Sequence, residues 1–162
     1  MFVKDCTVPR PSIQDPVIAR LTAEKLYEEL DKQQLIDVDI EKDQCIAELV
    51  DALQDVSYLD GFELTKFLSD KYAWEGNFSL CEALDHADGW ARKFVNEQTK
   101  LWVAQHNIEP KLKDGAIVEH LKKTMVIVGF RKDEAKYELV APSKSEAPEA
   151  VRHVKYEEIE TL

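Results

Sequence analysis

Glu82 and His86 stand four residues apart, with Cys81 and Asp85 beside them. On a helix this spacing puts a carboxylate and an imidazole on one face, the geometry of half a zinc site. No second set of ligands with matching spacing accompanies them, so the pair reads as a solvated helix surface and no metal is expected. Nucleophilic catalysis needs a Ser or Cys beside a histidine base and an orienting group. Cys81 falls in an apolar stripe, where cysteine behaves as a small hydrophobe, and His106, His120 and His153 lie in unrelated contexts. Phosphate loops need clustered glycines, whereas Gly61, Gly76, Gly89, Gly115 and Gly129 are all isolated. With 32 acids, paired carboxylates are too common to mark an acid and a base. The chain is therefore expected to be non-catalytic and to carry no cofactor.

The acids matter through their distribution. Residues 24–63 hold 13 Asp/Glu against Lys25, Lys32 and Lys42, whereas residues 110–162 hold ten acids and ten Lys/Arg. The net charge of −11 thus belongs to the first part of the chain. Glu41, Glu48, Asp51 and Asp55 follow one another at spacings of 7, 3 and 4. They fall on the non-apolar side of a helix and form a row that would imitate a phosphate backbone. With Asp37 and Asp39 they make an expected surface for a basic protein partner, and Trp90, one position off the apolar stripe, adds an expected contact because tryptophan is enriched at hot spots. Nucleic acid would be repelled by this region, since duplex affinity comes from Lys/Arg neutralising phosphates. The plainer alternative is a surface whose charge keeps the protein dispersed.

Three cysteines, Cys6, Cys45 and Cys81, form neither a disulfide framework nor a Cys-x-x-Cys pair. No apolar run approaches the ~18 residues that span a membrane, and MFVKDCTVPRPSIQDP carries charge and proline where a signal peptide needs an apolar stretch. These features read as a cytoplasmic protein with reduced thiols and no membrane partner.

The elements that must hold these residues are mostly helical. Residues 1–14 read as irregular, with Pro9 and Pro11 opposing helix. Asp15-Pro16 starts a first helix, Asp39 is the expected cap of a second, and Asp60-Gly61 opens a third carrying Phe62, Leu64, Phe67 and Leu68. From Asn77 the apolar positions Leu80, Leu84, Ala87, Ala91, Phe94 and Leu101 predict one continuous helix to about His106, with Gly89 as its weak point. Beyond Pro110 the period changes: 116–118, 124–130, 136–140 and 151–156 read as short strands. The fold class expected is α+β, with an irregular segment at 1–14, an acidic helical domain at 15–109 and a small β module at 110–162.

Within that module, Gly115, Val118, Gly129, Phe130, Ala135, Lys136, Tyr137, Val154 and Ile159 stand in a pattern that resembles small SH3-like barrels. The resemblance implies a closed C-terminal barrel. It also opens an alternative function, a nucleic-acid-associated accessory protein using Lys132 and Lys136 for charge and Tyr137 for stacking. Acidic helices followed by such a barrel also look like uncharacterised proteins of phages and mobile elements, which implies an adaptor or inhibitor aimed at host machinery.

Overall fold

The computed structural model describes residues 8–142 and 150–161, the side chains of 160 and 161 excepted. Five α-helices precede an antiparallel sheet: α1 (Pro16–Lys32), α2 (Lys42–Asp55), α3 (Gly61–Tyr72), α4 (Phe78–Leu84) and α5 (Ala87–His106), then β1 (Ile117–His120), β2 (Lys123–Arg131), β3 (Lys136–Val140), β4 (Arg152–Lys155) and β5 (Glu160–Thr161). The class is thus mixed, helix first and sheet second. The chain divides into two compact units: residues 12–95, and the segments before and after them. The division falls between Val95 and Asn96, inside α5, where the sequence places it after residue 109.

In the unit of residues 12–95, leucine and isoleucine recur at helical spacing and bury Leu26, Leu30, Ile46, Leu49, Leu64, Leu68, Leu80 and Leu84 in one core. The helix starts follow the capping chemistry in part. The side chains of Asp60 and Asn77 accept from Glu63 N and Leu80 N, both at 2.9 Å, as caps should. Asp15 instead turns back to Ser12, accepting from its backbone N at 2.8 Å, and Pro16 supplies the preset first turn. Asp39 is not the cap of α2: Glu41 precedes the helix, in extended geometry, and Asp39 sits in the loop before it.

The continuous helix expected from Asn77 to His106 is also two helices. The break lies at Asp85–His86, ahead of Gly89. There Asp85 Oδ1 accepts from Gly61 N at 2.6 Å, tying the end of α4 to the start of α3. Gly61 itself lies against the Cys81 carbonyl, with no space for a side chain.

The other unit contains a five-stranded sheet in the order β4-β3-β2-β1-β5, every pairing antiparallel. Among the described residues it does not close: β4 and β5 are edges. A 3₁₀ turn, Lys132–Glu134, joins β2 to β3 and another, Tyr156–Glu158, joins β4 to β5. A register shift between Ile127 and Gly129 bends β2. One face of the sheet buries Val118, Met125, Ile127, Tyr137, Leu139 and Val154 against Trp102, Ile108 and Tyr156. Trp102 explains why the second half of α5 belongs here.

Residues 8–11 also belong to this unit, where the sequence reads an irregular tail. Trp102 Nε1 donates to Val8 O at 3.0 Å. The Arg10 guanidinium lies 5.3 Å from the Trp102 ring centroid, donates to Glu134 O and Ala135 O, and pairs with Glu157 at 2.6 Å. A guanidinium stacked on a ring and hydrogen-bonded through both terminal nitrogens fixes this segment.

Candidate functional site

The acidic row predicted on α2 is not one exposed ridge. Glu48 is only 8% exposed. Its carboxylate accepts from Trp74 Nε1 at 2.6 Å and from Gln44 Nε2 at 2.9 Å, so it fastens the α3–α4 connector to α2. A position off the apolar stripe is covered here because Trp74 folds down over it. Asp51 is half-buried and pairs with Lys71 Nζ at 2.6 Å while accepting from Tyr72 OH at 2.7 Å. The Lys71 hydrogen bond, followed by that of Tyr72, holds the Asp51 carboxyl below the usual range. Two of the four row residues are therefore committed to the fold. Glu41 and Asp55 stay exposed at opposite ends of the helix. Asp55 lines a groove of about 520 Å³ with Val56, Glu63, Lys66, Phe67 and Asp70.

What remains outward is the α1–α2 connection. Leu35, Ile36 and Ile40 pack against the core and pin the loop at both sides. Asp37, Asp39, Glu41 and Asp43 are exposed along it. Asp37 shapes the turn, its carboxylate accepting from Asp39 N and its carbonyl from Ile40 N, both at 3.1 Å. Between the two aspartates Val38 is 96% exposed at the tip. Glu41 and Asp43 sit at the start of α2, where the helix dipole favours negative charge.

Trp90 is half-buried. Its Nε1 donates to Glu29 Oε1 at 2.9 Å, and the other Glu29 oxygen lies 3.0 Å from His86 Nδ1. The ammonium groups of Lys25 and Lys93 lie 5.1 and 4.9 Å from its ring centroid. The indole is thus fixed by one carboxylate and flanked by two cations, a stabilising arrangement. His86 faces α1 from the break between helices, so it shares no helical face with Glu82. Among the described residues no three His, Cys, Asp or Glu side chains gather as a metal would require. Burial, and then the neighbouring Glu48, push the Cys45 thiol up to about 12, far from the thiolate a nucleophile needs.

The residues expected for nucleic acid are not brought together. Tyr137 is 2% exposed on the inner face of the sheet, edge-on to Phe130 at 5.8 Å and against Tyr156 at 4.4 Å, so no base can stack on it. The alternation of β3 sends Tyr137 inward and Lys136 outward. Lys136 Nζ is held by Glu134 at 2.8 Å, which keeps the Glu134 carboxyl below its usual range. Lys132 is exposed in the turn that precedes β3.

The sequence reading missed Glu29, whose role emerges only when α1 meets α5, and Val38, which alternates with Ile36 and Ile40 in the sequence and so carries no signal that it alone is left outward. Phe62, which α3 carries together with Leu64, Phe67 and Leu68, is largely exposed, as is Phe78. No family model, curated protein or solved structure matches the chain.

Proposed function

We propose that the chain is a non-catalytic protein-binding module whose acidic helical unit occupies a basic surface of a partner protein, including a surface that would otherwise hold nucleic acid. The observation that carries this reading is the charge of the compact unit itself. Residues 12–95 hold 19 Asp/Glu and 8 Lys/Arg, a net of −11 that equals the charge of the whole chain. The pinned loop adds Asp37, Asp39, Glu41 and Asp43 around an apolar tip. Charge of one sign at this density steers a basic partner into contact and acts mainly on the association rate. The experiment is replacement of these four acids by lysine. Association with the captured partner should slow by at least about tenfold at low salt, with the helical signal unchanged. Partner binding that is indifferent to both the substitutions and salt contradicts the proposal.

The strand order, with its 3₁₀ turn between β4 and β5, supports reading the second unit as an SH3-like module left open at its edges. The alternative function, nucleic-acid association through this unit, rests on Lys132 and its neighbours without an aromatic platform. Retardation of single-stranded DNA by the native chain at physiological salt would favour it. No described helix is long and apolar enough to cross a membrane.

A further inference from the structure

Phe62 and Phe78 are 66% and 75% exposed, unusual for phenylalanine. Each stands in the first turn of its helix, just after the capping Asp60 or Asn77. Their mutual placement follows from the seam between α3 and α4. Gly61 meets Cys81 and Asp85 at one end of the seam, and Thr65 and Ser69 meet Gly76 at the other. The helices therefore run antiparallel, with the Gly61 side of α3 facing the Cys81 side of α4. At about 100° per residue, Phe62 is rotated ~100° from Gly61, and Phe78, three residues before Cys81, ~60° from it. In an antiparallel pair these two rotations lead to the same side of the seam. Phe62 lies one residue beyond Gly61 and Phe78 three residues before Cys81, so the rings fall within about one turn of each other. They are separated laterally by an ordinary interhelical distance of roughly 8–10 Å. Two exposed rings thus form a single apolar platform.

We infer that this platform anchors a basic amphipathic segment of the partner, its apolar side chains on Phe62 and Phe78 and its Lys/Arg directed to the surrounding acids. Asp60 and Glu63 flank Phe62 at the start of α3 and Glu82 lies one turn after Phe78, with Lys66 one turn after Phe62, within the unit that carries the net −11. A second copy would bring two such units together against their own repulsion, and an anionic surface would be repelled outright. A cationic segment with apolar residues at helical spacing is the chemistry that satisfies both features. This inference rests on the proposed acidic-face function and adds the apolar anchor to it.

The test uses the full chain and short model helices built of leucine and lysine, leucine and glutamate, or serine and lysine, titrated by calorimetry. The leucine–lysine helix should bind the parent chain, and the double variant Phe62→Ser/Phe78→Ser should weaken it by at least about tenfold. The serine–lysine helix should bind weakly to parent and variant alike. Circular dichroism of the variant should match the parent, since neither ring is in the core. Unchanged binding by the double variant, with binding lost on reversal of Asp37, Asp39, Glu41 and Asp43, overturns the anchor and leaves the acidic-face reading standing. Equal binding of the leucine–glutamate helix overturns the requirement for a basic partner. A failure of the parent to bind any helix overturns both readings. A concentration-dependent dimer of the parent that the double variant abolishes overturns the inference by assigning the platform to a second copy.

Discussion

At the residue scale, Glu48 shows how an acid can be read as surface and serve as a fastener. Trp74 brings one buried N–H donor, and the Glu48 carboxylate answers it. Glu48→Ala should leave that indole unpaired and lower stability by about 2–3 kcal/mol in urea unfolding, whereas Glu48→Gln, which keeps an acceptor, should cost clearly less. Equal losses would mean that shape, not the hydrogen bond, sets the cost. Two neutral groups govern the alkaline limb. Burial first, with Glu48 next for Cys45 and the Tyr137 phenol next for Tyr156, raises Cys45 from 9.0 and Tyr156 from 10.0, each to about 12. Because both folded values exceed the unfolded ones, their contribution is intact below about pH 9 and declines as pH climbs towards 12. Asp51 and Glu134, lowered mainly by Lys71 and Lys136 respectively, act in the opposite sense. Their contribution is present above the ordinary carboxylate range and is lost as pH falls through the lowered values. Midpoints of urea unfolding from pH 2 to 12 should therefore fall at both extremes. Iodoacetamide at pH 8 should spare Cys45 until urea opens the core.

At the element scale, two glycines, Gly61 in α3 and Gly89 in α5, should respond in opposite ways. Nothing lies within 4 Å of a side chain built at Gly89, so Gly89→Ala should raise stability by about 0.5–1 kcal/mol through helix propensity. Gly61→Ala should destabilise by about 1–3 kcal/mol or more, because its methyl group meets the Cys81 backbone. Thermal melts of the two variants check both signs. The same pair explains what was legible in the sequence. Helix existence, the Asp60 and Asn77 caps and most strands followed from period and capping residues. The interruption at Asp85 did not, because its cause is a contact to Gly61, 24 residues away in the chain. Similarly, Glu48 and Asp51 looked like members of an exposed row until Trp74, Lys71 and Tyr72 arrived from other elements. Tyr137 was open to either face by composition. Only the register with Phe130 and Val154 turns it inward.

At the scale of the whole molecule, net charge and chain order divide the labour. The helical unit carries the −11, whereas the remaining residues, 1–11 with 96–162, hold 13 Lys/Arg and 13 Asp/Glu. Arg10 ties residues 8–11 into the sheet unit, so Arg10→Ala should speed proteolysis near residue 12 and lower the stability of that unit. Since the acidic unit is the proposed contact, binding should weaken steeply with salt as the screening length shortens to about 8 Å at physiological ionic strength. The most direct measurement is quantitative affinity capture from nuclease-treated native extract at low and high salt, using the parent chain and its Asp37, Asp39, Glu41 and Asp43 to lysine variant as baits. The account predicts basic proteins retained by the parent at low salt, released at high salt and missing from the variant. Capture of the same proteins by both baits, or capture from untreated extract that is absent from the nuclease-treated one, would contradict it.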